Sequence, residues 1–298
     1  MLPASSEAAS GLIAFSYPGA AGHTNTVLAT DKGEVRKRIS TSYDSVDFTP
    51  DGRTLIATGK RGLYRFTVHG GRSKLLLASD PGETFTDAEA GDGAIVFVDE
   101  TQQGVTLKLA DADGGSVQTI VDDKAFDTLF HNSALELQGL AAPHLTPDGS
   151  AVTFIADDAE PTTYGDGEIE SGIYDLDVDN GRLLQSVGLD DGEQVGGLDL
   201  SADGETIAFT LEQPGGTELH YARFGDLHDH TVGLPPKLAK ECPVLSPNAK
   251  NAALSEPAGD QAPINRVTLK SGKASPLIDG PAKPLCAEDW TAVGGHGH

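Results

Sequence analysis

The sequence FTPDGRTLIA at residues 48–57 recurs almost unchanged as LTPDGSAVTF at residues 145–154. In the shared Thr-Pro-Asp-Gly, proline fixes φ at the first turn position, the aspartate side chain caps the turn, and glycine accepts positive φ. Each turn lies between two stretches rich in apolar residues, which is typical of a β-hairpin. The two copies therefore predict hairpin tips at equivalent places in a repeated unit.

Further copies extend the repeat along the chain. LSADGETIAF at residues 200–209 and AEAGDGAIVF at residues 88–97 keep the Asp-Gly pair, whereas LSPNAKNAAL at residues 245–254 replaces it by Asn-Ala. The tips follow one another at intervals of roughly forty to fifty-five residues, and a second glycine turn follows each copy, more loosely in the fifth unit. A recurring unit with four antiparallel strands is the blade of a β-propeller.

The motif Ser/Thr-Pro-Asp-Gly before an apolar strand, followed by Ile/Leu-Tyr-x-x-Asp and a glycine turn, resembles the TolB-like β-propeller repeat. The resemblance covers residues 11–293; it implies the fold and is weak for function, because such blades serve many roles. The N-terminal GLIAFSY resembles a second strand without a first, and the C-terminal CAEDWTAV resembles a first strand without a second. We therefore predict an all-β, six-bladed β-propeller of four-stranded antiparallel blades, closed by the C-terminal strand completing the N-terminal blade. Residues 1–10 would be a linker and residues 294–298 a tail.

The charge of the chain excludes some classes of partner. A net charge of −24 with a pI near 4.5 repels phosphate backbones and anionic membrane surfaces, so no nucleic acid is expected. A cationic partner, a divalent cation or simple solubility remain as explanations. No segment approaches the length of apolar sequence that a transmembrane helix needs, so none is predicted.

Motifs for catalysis and metal binding are weak. The sequence has no Gly-x-Ser-x-Gly, His-Glu-x-x-His or phosphate-binding Gly-Lys-Ser/Thr motif, which favours a non-enzymatic protein. DLDVDNG at residues 175–181 spaces its aspartates as a calcium loop does, but the closing glutamate is missing, so a blade strand is the preferred interpretation. LHDH at residues 227–230 could share a metal, although a solvated pair of histidines is favoured. We expect no cofactor, with calcium as the open alternative.

Aligning the tips places polar residues at one position of the inner strands, around the central channel. These channel-ring residues are Asp47, His144, Asp199 and Asp289, with Ala88 and Val244 in the other blades. One interpretation is a site for a cation or small ligand; the other, which we favour, is that the side chains satisfy backbone groups and channel water. A lyase or hydrolase that uses His144 with Asp199 as acid and base is a third possibility.

Two long connections, residues 121–143 and 156–172, emerge on the same face as the connection at residues 188–197, because strands alternate in direction. We call these three connections the acidic face. Apolar anchors within a charged surround are typical of protein interfaces, which predicts a protein partner, cationic by complementarity, for a monomeric propeller. The predicted binding residues are Phe126, Leu129, Phe130, Asp157, Asp158, Glu160, Tyr164, Asp166 and Glu168.

The chain has two cysteines, Cys242 and Cys286, and each opens a predicted inner strand of neighbouring blades. We predict that they form a disulfide, although tip alignment leaves them one residue out of register, and two buried thiols are the alternative. The resemblance implies an exported protein in the periplasm, the cell envelope or the secreted fraction. MLPA is no signal peptide, so we expect the signal or lipid anchor to be absent from this sequence.

Overall fold

The chain forms six four-stranded antiparallel sheets arranged as the blades of a β-propeller. In this computed structural model the described residues are 11–18, 24–40, 43–69, 72–130, 136–159, 169–187, 189, 193–213, 216–223, 229–235, 238, 242–255, 263–278 and 286–292. The predicted linker and tail lie outside them. No helix in the described part of the chain is long and apolar enough to span a membrane.

Every blade contains four strands in sequence order from the channel outwards, except that the first blade borrows its inner strand from the C-terminus. The strands of blades one to three are β1 (Gly11–Pro18), β2 (Thr24–Thr30), β3 (Val35–Ser40), β4 (Tyr43–Phe48), β5 (Thr54–Gly59), β6 (Gly62–Thr67), β7 (Lys74–Ala78), β8 (Thr84–Ala90), β9 (Ala94–Thr101), β10 (Gly104–Asp111) and β11 (Gln118–Val121). The helix α1 (Asp123–Phe130) leads to blade four, with β12 (Glu136–Leu145), β13 (Ala151–Ala159), β14 (Ile169–Asp177) and β15 (Leu183–Val187). Blades five and six and the closing strand comprise β16 (Gln194–Leu200), β17 (Thr206–Gln213), β18 (Gly216–Arg223), β19 (His230–Val232), β20 (Val244–Leu245), β21 (Asn251–Ser255), β22 (Ile264–Thr268), β23 (Lys273–Ile278) and β24 (Cys286–Ala292).

The Thr-Pro-Asp-Gly tips form the hairpins that the sequence predicts. In blade two, the Thr49 amide donates to the Thr54 carbonyl at 3.0 Å, and Asp51 accepts from the Thr49 hydroxyl at 2.7 Å and the Arg53 amide at 3.0 Å. Gly52 has a φ of 63°, the left-handed conformation that glycine tolerates at low cost. The aspartate and glycine thus fix the turn that joins the inner strand to its neighbour.

The ring closes as predicted. Strand β24 pairs antiparallel with β1, with Gly11 opposite Ala292 and Ile13 opposite Trp290. The two ends of the described chain therefore share one blade, and the first blade has its full set of four strands. Closure of this kind leaves no inner sheet edge open to another chain.

Alternate residues of the central strands fill the spaces between blades. Between blades two and three, Ile56 and Leu63 pack with Phe85 and Phe97, all of them buried. Buried apolar side chains of this size each stabilise a fold by roughly 1.5–3 kcal/mol. The core is therefore a set of interfaces between blades, and the channel at the centre is left for polar residues.

The single described helix precedes the segment HNSALELQGL, residues 131–140, whose composition favours a helix. Helix α1 begins at Asp123, and the Asp122 carboxylate caps it by accepting from the Ala125 amide at 2.7 Å. Residues 136–140 are instead the start of β12, where Leu140 pairs with Ala156. The hydrogen bonds of the ladder outweigh the helical preference of this segment.

Candidate functional site: the acidic central channel

Three of the predicted channel-ring residues occupy equivalent positions on inner strands: Asp47 on β4, His144 on β12 and Asp199 on β16. Asp289 lies on β24, where its backbone pairs with Ala14, and its side chain is outside the described residues. In blade three, the prediction of Ala88 was wrong by one residue, and Glu89 takes the position. The reason is a shorter tip, since the Gly91 amide bonds directly to the Ala94 carbonyl at 2.9 Å.

The ring carboxylates join each blade to the next. The Ala90 amide donates to Asp47 at 2.8 Å, the Leu145 amide donates to Glu89 at 3.1 Å, and the Leu245 amide donates to Asp199. In each case the donor is the residue that follows the ring position of the next blade. These side chains therefore satisfy backbone groups of the inner strands, as the favoured interpretation of the sequence expected.

His144 occupies the one described ring position that is basic, and carboxylates lie on both sides of it. Its Nδ1 forms an ion pair with Glu89 and lies 3.6 Å from an oxygen of Asp199, while Nε2 lies 3.0 Å from the Leu198 carbonyl. Burial alone would lower its pKa, but Glu89, Asp199 and the carbonyl together raise the pKa of His144 to about 10. The imidazole of His144 is thus a cation at neutral pH, and both of its nitrogens donate hydrogen bonds.

A cavity of about 380 Å³ fills the channel around this group. Its walls come from the inner strands β4, β8, β12 and β16, from Val244 and its flanking residues, and from Ser16 of β1 and Ile155 and Asp157 of β13. A volume of this size is within the range of small-molecule sites. The cavity is acidic, because His144 is the only basic residue among its described lining, against the carboxylates of Asp44, Asp47, Asp87, Glu89, Asp157 and Asp199.

Two of these carboxylates, Asp44 and Asp87, have raised pKa values. Burial raises the pKa of Asp44. Burial also raises the pKa of Asp87, helped by Glu100, against the lowering effects of the Ala142 amide, which donates to it at 3.3 Å, and of His144. The channel therefore holds more negative charge than its own residues neutralise.

No protein-family model matches the chain, and no curated protein matches it. Among solved structures, TolB from Acinetobacter baumannii matches with a TM-score of 0.68 at 17% identity, over 94% of this chain and 67% of that one. A putative TolB from Agrobacterium tumefaciens matches with a TM-score of 0.60 at 16% identity, over 96% and 97% of the two chains. An oligogalacturonate lyase in complex with manganese matches with a TM-score of 0.60 at 13% identity, over 90% and 74%.

In fold, the chain is a six-bladed β-propeller that is similar to these TolB structures. At these identities the likeness concerns the arrangement of the backbone, and one fold supports both binding proteins and enzymes. The side chains of this propeller, and not its fold, therefore bear on its function.

The acidic face is only partly described. Phe126, predicted as an exposed anchor, is 1% exposed and packs edge-on against the Tyr174 ring at 5.6 Å, so it belongs to the core between blades three and four. Asp157 pairs through its backbone with Gly139 and lines the channel cavity. The side chains of the other predicted residues lie outside the described part: Leu129, Phe130, Asp158, Glu160, Tyr164, Asp166 and Glu168.

The two metal-like motifs are accounted for by local contacts. Asp175 is buried beside the Thr153 hydroxyl at 3.4 Å, and burial raises its pKa to about 6 in spite of that hydrogen bond. Asp177 accepts from the amides of Asp179 and Asn180, which makes it a turn cap. Among the described side chains, no group of three or more His, Cys, Asp and Glu residues is arranged to hold a metal.

In the LHDH segment, Asp229 bonds to His220 of the neighbouring strand at 2.5 Å, and the exposed His230 lies against the Tyr221 ring at 5.0 Å. His228 is outside the described residues. The described members of this motif therefore contact their own blade, as a solvated outer strand would.

The cysteines lie where the sequence analysis placed them. Cys242 lines the channel cavity two residues before β20, and β24 begins at Cys286 as a neighbour of β20. No free cysteine occurs among the described residues. The bond between Cys242 and Cys286 stays a prediction, since the side chain of Cys286 is outside the described part.

Ser16, Asp44, Asp87 and Glu89 are among the lining residues that were not anticipated from the sequence. Glu89 could have been found by counting from the end of the strand instead of from the Asp-Gly pair. The other three face the channel only because of the twist and register of their strands, and nothing in their sequence context marks them.

Proposed function

We propose that this chain is a non-enzymatic, protein-binding propeller that recognises a cationic partner through the acidic face and the adjoining end of the channel. The observation that carries the proposal is the unneutralised charge of the cavity. Asp44, near the start of an inner strand, and Asp157, near the end of a second strand, lie at the end of the channel where the acidic-face connections emerge. A partner with basic side chains would be steered to that end and held there.

The state of His144 supports a binding function over catalysis. A general base works best with a pKa near the working pH and a free nitrogen to receive a proton. His144 has a pKa of about 10, and its nitrogens are held by Glu89 and the Leu198 carbonyl. The imidazole is therefore held as a cation among the channel-ring residues. We infer that His144 and Asp199 do not act together as acid and base.

A small ligand in the channel is the second candidate, because the cavity of about 380 Å³ is large enough for one. Calcium belongs to this candidate. Export to the periplasm, the cell envelope or the medium is part of the proposal and derives from the TolB-like resemblance, with the protein acting there as a monomeric scaffold or adaptor.

The test is a pull-down from extracts of the source cells, with and without calcium. We expect charge reversal of Asp158, Glu160 and Asp166 to Lys to abolish capture of the partner, whereas reversal of the exposed Asp92, Asp179 and Glu205, at the opposite end of the ring, should leave capture intact. Replacing Phe130 and Tyr164 by Ser should also abolish it. Full capture by the triple variant at the acidic face, with its fold intact by circular dichroism, would refute the proposal.

A further inference from the structure

The carboxylates of the cavity fall into two sets. In the first set, Asp47, Glu89 and Asp199 each accept a hydrogen bond from a backbone amide of the next blade. Glu89 also forms an ion pair with the His144 imidazolium. The second set, Asp44, Asp87 and Asp157, forms no ion pair with any described side chain. This second set, which we call the free acids, lines the same cavity.

A second observation points to a ligand in this place. Ser16 is 1% exposed and lines the cavity, and its hydroxyl oxygen has no hydrogen-bond partner among the described residues. Buried hydroxyl groups are nearly always paired in folded proteins, and an unpaired one calls for an explanation. A ligand that donates a hydrogen bond to this oxygen would satisfy it.

Most of the remaining lining is apolar, with Ser45 as an exception. Val46, Ala141, Ile155, Val195 and Leu198 contribute to the walls beside the free acids. Carboxylates at separate places, a hydroxyl acceptor and aliphatic walls fit a charged N–H donor at the end of a short hydrocarbon chain. They suit a metal ion less well, since no metal-binding group of three or more is formed by the described residues.

We propose that the channel cavity binds an organic cation, an ammonium or guanidinium group on an unbranched aliphatic stem, with the free acids supplying its counter-charge and Ser16 accepting a hydrogen bond. The stem lies against the aliphatic walls. The same chemistry is carried by a lysine or arginine side chain of a protein partner and by a free diamine or agmatine. The first source rests on the proposed function, and the second does not.

A bound organic cation would balance the excess of carboxylates in the channel. The pKa values of Asp44 and Asp87 are raised because desolvation acts on both carboxyls and, at Asp87, outweighs the lowering effects of the Ala142 amide and His144. A bound cation would compensate them, and cation binding would in turn lower both pKa values. Recognition by charge and hydrogen bonds at the head, with apolar contacts along the stem, would discriminate against alkali-metal ions and neutral alkyl chains.

Isothermal titration calorimetry with the purified full chain tests the site. The ligands are agmatine, cadaverine, the peptide acetyl-Gly-Gly-Lys-Gly-Gly-amide and its norleucine analogue, with calcium chloride as the metal comparison. We expect saturable binding of at least one cationic ligand, none of the norleucine peptide, and calcium weaker than the best organic cation. Binding of agmatine or cadaverine alone would assign a small molecule, whereas binding of the lysine peptide would assign a partner's side chain.

Variants then locate the binding. Asp87→Asn keeps an acceptor for the Ala142 amide and should weaken the best ligand about tenfold, and Asp157→Asn should do the same. Ser16→Ala should weaken it by a smaller factor. Asp148→Asn, at an exposed tip on the opposite end, is the matched control and should bind as the parent does.

The outcome that overturns the site is affinity unchanged in both Asp87→Asn and Asp157→Asn, with their thermal unfolding unchanged, or no binding of any cation. Calcium binding tighter than every organic ligand would overturn it too. These results are separate from the pull-down, because a partner could be captured by the acidic face with the cavity empty, and a free amine could bind in the cavity of a chain that captures no protein.

Discussion

At the scale of single residues, the charge balance of the channel depends on His144. A protonated imidazole between Glu89 and Asp199 neutralises part of the ring, and it does so in a site where its side chain is 16% exposed. Replacing it would leave Glu89 with its backbone hydrogen bond and no cation beside it. The loss of one partner of a buried ion pair is costly, because the other charge remains desolvated.

The first prediction is that His144 makes stability fall at alkaline pH. Its pKa of about 10 in the folded protein exceeds the ordinary value, so its contribution is complete below about pH 6.5 and is lost as the pH rises through about 10. We expect His144→Gln to lower the free energy of unfolding by roughly 3 kcal/mol at pH 7 and to remove this slope. Denaturant unfolding at pH 6 to 10 measures both, and an imidazole that titrates near pH 6.5 by NMR would contradict the ion-pair assignment.

The residues of the ring also show how far sequence reasoning reaches. Asp47, His144 and Asp199 could be placed because their tips have the same length, so counting back from Asp-Gly gives the same register. Glu89 was missed because its tip is shorter. Phe126 was misplaced for a different reason: an aromatic residue in a connection is compatible with an exposed anchor or a buried one, and only the packing of α1 on blades three and four decides between them.

At the scale of elements, the hairpin tips are one device used with different residues. In blade six the Ala249 amide donates to the Ser246 carbonyl at 2.7 Å, as the Gly149 amide donates to Thr146 at 2.8 Å in blade four. Ala249 has a φ of 50° where Gly149 has 70°. An alanine in the left-handed region carries a steric cost of roughly 1–2 kcal/mol that glycine avoids.

The second prediction follows from this comparison. Ala249→Gly should raise the free energy of unfolding by about 0.5–1 kcal/mol, since relief of the backbone strain exceeds the added flexibility of the unfolded chain. Gly149→Ala is the matched control and should lower it by a similar amount. Chemical denaturation of both variants beside the parent measures the difference. A loss of stability in Ala249→Gly would show that the turn of blade six is not strained.

The elements themselves were largely predictable, because each hairpin is specified by its own few residues. The strand pairings, the number of blades and the closure by β24 all follow from the repeated tips and from the two incomplete ends. The helix was not predictable in the same way. Residues 136–140 have helical composition, yet they pair with β13, and that pairing depends on a segment about twenty residues away.

At the scale of the whole molecule, charge is unevenly distributed around the ring. Ten of the 21 Lys and Arg residues lie within residues 32–74, with only four of the 45 Asp and Glu residues. This segment contains the outer strand of blade one and the first three strands of blade two. The cationic partner that we propose would therefore be repelled from that side and attracted to the others, which would orient it over the acidic face around blade four.

The last prediction concerns how the ring is held shut. The closing strand β24 is joined to β1 by a ladder, and Cys286 at its start lies on the strand next to the one that Cys242 precedes. A disulfide between them would fasten the strand whose release opens the propeller, and closing a loop of about 45 residues is worth roughly 4 kcal/mol in the chain-entropy account. Alkylation of denatured, unreduced protein should therefore label no thiol, and reduction should lower the melting temperature of the parent while leaving a Cys242→Ser, Cys286→Ser variant unchanged. Two labelled thiols would contradict the bridge and would also count against export, because free buried thiols suit a reducing compartment.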